Sequence, residues 1–111
     1  MVRFGTDPYR ARIKTGTYTG DGSTSQAITG IGFQPKMVTI WIYSLTEGNT
    51  GQLTKIDQFA TDMAIDAWGT PHFIRDNRLI SLDADGFTVD DDGTDDFPNT
   101  NGATYAYIAF G

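Results

Sequence analysis

Residues 104–111, Thr-Tyr-Ala-Tyr-Ile-Ala-Phe-Gly, constrain the fold more than any other stretch of the chain. In an extended strand successive side chains point to opposite faces. Tyr105, Tyr107 and Ala109 therefore share one face, and Ala106, Ile108 and Phe110 share the other. Both sets are apolar or aromatic, the pattern of a strand covered on both sides. Such a strand needs layers above and below it, which predicts a layered β-fold. The strand also closes the sequence. With Met1 at the other end, this predicts a complete small protein without tail, linker or second domain.

The other apolar residues fall in short runs separated by turn chemistry. Arg12–Thr19 alternates around Ile13 and Tyr18 and predicts a first strand, ended by Gly20-Asp21-Gly22-Ser23. Residues 25–29 predict a short second strand, and Gly30-Ile31-Gly32-Phe33-Gln34-Pro35 breaks the pattern. Residues 36–43, Lys-Met-Val-Thr-Ile-Trp-Ile-Tyr, are β-branched and aromatic, the composition of a buried strand. The segment 53–67 is ambiguous: Ile56, Phe59, Ala60, Met63, Ala64 and Ala67 approach helical spacing. It also divides into two strands around Thr61-Asp62, and the β-character of its surroundings favours that division. His72–Arg75 and Leu79–Leu82, with Asp76-Asn77 between them, predict a hairpin. Asp85-Gly86 opens a strand at 87–89, and 90–102 reads as a long polar loop. The whole predicts an all-β, single-domain β-sandwich or jelly roll of about eight short antiparallel strands at 12–111. Residues 1–11 lack periodicity and read as an N-terminal arm.

Charge sorts the partners. The first fourteen residues set Arg3, Arg10, Arg12 and Lys14 against Asp7, net +3, while the remainder has four basic against thirteen acidic side chains, net −9. An acidic body argues against nucleic acid, whose phosphates require a basic surface. No apolar stretch approaches the roughly 20 residues of a membrane-spanning helix. With no cysteine there is neither disulfide nor thiolate metal site. The basic arm, through Arg3, Arg10 and Arg12, is a candidate for docking on a neighbouring acidic subunit, against the plainer reading of a solvated terminus.

Catalytic chemistry is poorly served. Asp90, Asp92 and Asp96 have the D-x-D-G spacing and later carboxylate that suit calcium, yet the bidentate Glu of an EF-hand is missing. Calcium is the one cofactor the residues suggest, beside the plainer reading of a solvated acidic turn. Adjacent loop aspartates are a poor way to raise one carboxyl pKa for glycoside hydrolysis. The lone His72 would need Ser44 or Ser81 as nucleophile, and neither sits in a glycine-rich elbow. The glycine-rich segments at 16–22 and 30–32 lack the Lys-Ser/Thr and helix of a phosphate loop. Trp41, Trp68, Tyr43, Tyr105 and Tyr107 suit a sugar-stacking platform or a protein hot spot, and equally a β-core. Trp68, beside Gly69-Thr70-Pro71, is the best candidate for an exposed ligand contact.

Two segments carry a resemblance. Residues 15–28 followed by 32–38 resemble an opening of the form G-x-Y-T-G-(N/D)-G … I … G-F-x-P-x-x-V. Residues 86–89 with 101–110 resemble an ending of the form G-F-x-V … N-x-x-G-x-x-Y-x-Y-x-A-F. The pair is similar to small β-rich virion proteins and domains of tailed bacteriophages. That resemblance implies a virion component without saying which one; the size, the absence of a linker and the basic arm favour a non-enzymatic capsid-decorating or head-tail accessory protein. It would bind other virion proteins as a homo-oligomer such as a trimer, through the arm or through Tyr105 and Tyr107. The alternative is a tail-fibre module that binds a cell-surface glycan. The matching residues are glycine turns and core positions, with no catalytic group among them.

Overall fold

A computed structural model describes residues 12–42, 52–60, 63–66, 73–75, 79–90 and 98–111, with backbone alone for 66, 73–75, 79 and 80. Every regular element among them is a strand. They are β1 (Ile13–Thr19), β2 (Gln26–Ile28), β3 (Met37–Ile42), β4 (Gln52–Ile56), β5 (Ala64–Asp66), β6 (Phe73–Arg75), β7 (Leu79–Asp83), β8 (Gly86–Val89) and β9 (Thr104–Phe110). Six form one sheet in the order β1-β9-β3-β4-β5-β6, and three form a second in the order β2-β8-β7. All pairings are antiparallel. The chain is thus an all-β sandwich of two unequal sheets.

Its core lies between the sheets. The large sheet contributes Tyr18, Val38, Ile40, Leu53, Ala64, Tyr105, Tyr107 and Ala109, and the small sheet Ile28, Phe87 and Val89. Tyr18 stacks on Tyr105 at 5.2 Å, while Phe87 meets Tyr107 edge-on at 5.2 Å and Tyr18 at 6.0 Å. Such aromatic pairs add about 0.5–1.5 kcal/mol each beyond the area they bury. The Tyr107 ring lies over Gly16, its register partner on β1. A Cβ on that glycine would stand 2.6 Å from the Tyr107 oxygen, so the aromatic layer leaves room there only for hydrogen.

Three expectations change against this architecture. β9 is central, with β1 and β3 on either side, but only Tyr105, Tyr107 and Ala109 are buried. Ala106, Ile108 and Phe110 are half-exposed. Tyr105 is 0% and Tyr107 6% exposed, so both belong to the core and neither reaches a partner's surface. The hairpin at 72–82 does not form, because β6 and β7 lie in different sheets. β6 pairs instead with β5, and β7 with β8, where the Asp83↔Gly86 pair leaves only Ala84-Asp85 as the turn. The shortest closure available to β7 wins. The ambiguous segment 53–67 does divide into strands, β4 and β5.

Candidate assembly face

The side of the large sheet away from the small one presents three rows in register. The first runs Ile13–Phe110–Met37–Ile56, the second Thr15–Ile108–Thr39–Thr54–Ile65, and the third Thr17–Ala106–Trp41–Gln52. None of these thirteen positions is charged, in a chain that is 20% charged. Ile13 is 61% and Ile65 39% exposed, Phe110, Met37, Trp41 and Ile108 are half-buried, and Thr39, in the middle of the face, is buried among its neighbours. In the middle row Thr39 and Thr54 share a hydrogen bond of 3.1 Å, which settles both hydroxyls within the sheet. An antiparallel sheet with one open face ordinarily turns polar and charged residues outward. Here the outward set is β-branched, aromatic and neutral, a surface suited to covering rather than to hydration.

The two halves of the sequence signature meet at one end of the sandwich. Asn99, fully buried, donates from Nδ2 to Asp21 Oδ1 (2.9 Å) and to the Ser23 carbonyl (2.8 Å), and its Oδ1 accepts from the Asp21 amide (3.2 Å). The Gly22 amide donates to the Asn99 carbonyl at 3.0 Å, the Gly102 amide to the Gly20 carbonyl at 2.9 Å, and the Gly20 amide to the Ala103 carbonyl at 2.8 Å across the same seam. The Tyr18 hydroxyl donates to the Pro98 carbonyl (2.8 Å), and the Tyr105 hydroxyl accepts from the Thr100 amide (3.0 Å). Asp21 Oδ1 also accepts from the Ser23 hydroxyl (2.6 Å) and amide (2.9 Å). Those donors, with Asn99, hold the Asp21 carboxyl below the ordinary Asp range. The signature residues thus build the fold.

A family model described as "Domain of unknown function (DUF7483)" matches residues 11–111. The chain belongs to the DUF7483 family. No curated protein and no solved structure matches it.

In this DUF7483 domain the Gly30-Ile31-Gly32 segment also has a structural employer. Gly30 and Gly32 adopt φ of 81° and 91°, a region that L side chains rarely enter. Their amides donate to Asp85 Oδ2 (3.0 Å) and Oδ1 (2.7 Å), and the Ile31 amide to the Asp85 carbonyl (3.1 Å). The two glycine amides stabilise the ionised carboxylate and hold the Asp85 pKa below its ordinary value. Asp85 therefore occupies the anion-accepting nest of this loop itself, and ties the β7–β8 turn to it.

The other sequence candidates are scattered. Arg12 is exposed, its guanidinium 5.9 Å from the centre of the Phe33 ring, while its backbone pairs with Gly111. Asp90 is buried at the end of β8. Among the described residues no three His, Cys, Asp or Glu side chains gather as a metal site. Asp92, Asp96, Arg3, Arg10, Trp68, Ser44, Tyr43 and His72 lie outside the described residues. Ser81 donates to Asp83 Oδ1 at 2.6 Å, a bond within β7.

One cleft, of about 360 Å³, opens between the sheets and is lined by Gln34, Lys36, Lys55, Asp57, Phe59 and Ser81 among others. Lys55 reaches it from β4, an inward position, and is 3% exposed. Its ammonium donates to the Ala60 and Met63 carbonyls at 2.8 Å each, so the charge closes the turn after β4. Sequence reasoning missed Lys55, Phe59 and the neutral outer face. The last had a signal: the sets Ile13/Thr15/Thr17, Met37/Thr39/Trp41 and Ala106/Ile108/Phe110 all lack charge.

Proposed function

We propose that this domain is a non-enzymatic structural protein of a tailed-phage virion, which binds neighbouring virion subunits. The observation that carries the reading is the neutral outer face of the six-stranded sheet. A fold that leaves part of such a surface exposed, Ile13 and Ile65 above all, gains by having it covered. Two further features support it. The glycines and tyrosines of the phage-like signature are engaged in turns and core, and a face plus a basic arm suits docking between subunits. In this reading the arm, with Arg3, Arg10 and Arg12, supplies electrostatic attraction to acidic neighbours, and the sheet supplies contact area.

The test is association with tailed-phage particles produced by the strain whose genome encodes the chain. Deleting residues 1–10 is expected to leave the circular-dichroism spectrum and thermal transition unchanged while the protein no longer co-sediments with the particles. Undiminished co-sedimentation would refute the docking role of the arm. A protein absent from purified particles by mass spectrometry would remove the virion reading altogether. The cleft favours a second reading, a glycan-binding module of a tail fibre. Its volume lies within the small-ligand range, and Phe59 beside Gln34 and Asp57 offers a ring and planar polar groups. Glycan-array binding lost on Phe59→Ala would decide for that alternative.

A further inference from the structure

We infer that the outer face of the six-stranded sheet is covered by the same face of a second copy of this chain, in a twofold, sheet-on-sheet dimer. The inference rests on the assembly reading above and names its partner. Three physical arguments lead to it.

The first is charge. Two copies with a net charge of −6 each repel one another over most of their surfaces. Contact is least costly where neither copy carries charge, and the outer rows are such a place. An unlike partner selected by electrostatics would need charged groups to recognise, and these rows offer none. A neutral apolar face is matched by another neutral apolar face, which every second copy supplies.

The second is shape. The contact residues alternate along β1, β9, β3 and β4, so they stand on a pleated surface rather than in a groove. Two such surfaces stack about 10 Å apart with their strands about 30° out of alignment, the packing of any aligned sandwich. The face then meets itself, as a twofold interface requires. Ile108, on a strand flanked on both sides, falls near the centre, while Ile13 and Ile65 stand toward the rims.

The third is area. Thirteen positions, on strands about 4.8 Å apart and in rows about 6.8 Å apart, give a patch of roughly 420 Å². Two copies bury roughly 850 Å², the range of weak, transient interfaces rather than of permanent ones. The dimer is therefore expected to be reversible and concentration-dependent.

Sedimentation equilibrium of the full chain across about 1–200 µM tests this. The expected result is a shift from 12.1 kDa toward twice that mass as concentration rises. Ile108→Lys and Ile65→Lys place like charges on both copies, and each is expected to weaken dimerisation at least 100-fold. Ile65 is already exposed, so its variant keeps the fold even where the Ile108 variant does not. Thr17→Lys, at an exposed outer position of β1, adds a second variant that spares the core. A wild-type chain that stays monomeric at the highest concentration overturns the inference. So does a dimer or trimer whose affinity is unchanged in folded Ile65→Lys and Thr17→Lys. Dimerisation that appears only after deletion of residues 1–10 would make the arm the natural cover, and overturns it too. The two readings fail separately: a monomer that still co-sediments with particles sinks the dimer alone, and a dimer absent from particles sinks the virion reading alone.

Discussion

The two faces of the six-stranded sheet are built from alternate residues of the same strands, yet they follow opposite rules. The inner face is specific. It holds stacked tyrosines, a glycine at 16 that only hydrogen fits, and a buried lysine whose ammonium caps a turn. The outer face is generic: isoleucine, threonine, methionine and aromatics with neither charge nor interlocking shape. The usual expectation is polar outside and apolar inside. Here the charges on β1, β9, β3 and β4, the exposed Lys14 and the buried Lys55, belong to the inward set. Hydropathy alone therefore cannot rank the faces. Shape-fitting marks the side that folds the chain, and neutrality marks the side left for a partner.

Ile40 and Ile108 allow a controlled test, since one residue type occupies each face on neighbouring strands. Ile40 is fully buried on the inner face, opposite Tyr107 in register. Ile40→Ala is expected to cost about 2–5 kcal/mol, the range for deleting a buried aliphatic side chain. Ile108→Ala, half-exposed, should cost no more than about 1 kcal/mol, within the span of strand propensity. Urea unfolding at a concentration where sedimentation finds only monomer measures both. Equal costs would mean that the outer face is also core, and the contrast drawn above would be lost.

The end of the inner layer is held differently, by polar groups. Asn99→Ala removes a buried amide that satisfies Asp21 Oδ1, the Asp21 amide and the Ser23 carbonyl together. Leaving such groups unpaired costs about 1–3 kcal/mol, less than the Ile40 cavity but more than the outer substitution. Because Asp21 and Asn99 share one network, their effects should not add: Asp21→Ala in the Asn99→Ala background is expected to cost clearly less than it does alone. Additive losses in a double-mutant cycle would show that Asp21 and Asn99 act separately rather than as one clasp.

Much of this was legible in the residues, and the failures are instructive. Strands β1, β3, β8 and β9 follow from alternation and turn chemistry, because period two and glycine punctuation are local signals. The division of 53–67 into strands followed from its neighbours rather than from its own spacing. Pairing was not local: β7 had a possible partner on each side, and composition did not reveal which turn would close. The burial of Tyr105 and Tyr107 was equally hidden, since both faces of residues 104–110 are apolar and only the position of the small sheet chooses between them. Asp85 and Asn99 were unreadable as clasps. Their partners lie 53–55 and 76–78 residues away, beyond any sequence window.

The smallest effect expected is a pH-dependent one at the Asp85 clasp. Its carboxylate accepts the Gly32 and Gly30 amides, and these bonds lower its pKa in the folded state. A carboxylate whose folded pKa lies below its unfolded value, about 3.9, stabilises the fold fully above that value. That contribution fades as pH falls through the lowered folded pKa, where proton uptake favours the unfolded chain. Asp85→Asn keeps one acceptor oxygen but loses the second and the charge, so it should lower the urea midpoint at pH 7. The gap from wild type should shrink as pH drops below about 4, where the wild-type carboxyl is itself being neutralised. Asp21, lowered by Ser23 and Asn99, adds acid sensitivity of the same sign, which Asp85→Asn leaves in place. The variant should therefore flatten the acid limb of the stability curve without abolishing it. A gap that stays constant from pH 7 to pH 3 would mean that the two glycine amides do not distinguish the ionised carboxylate from the amide. The small sheet would then owe its position to Phe87 and Val89 packing alone.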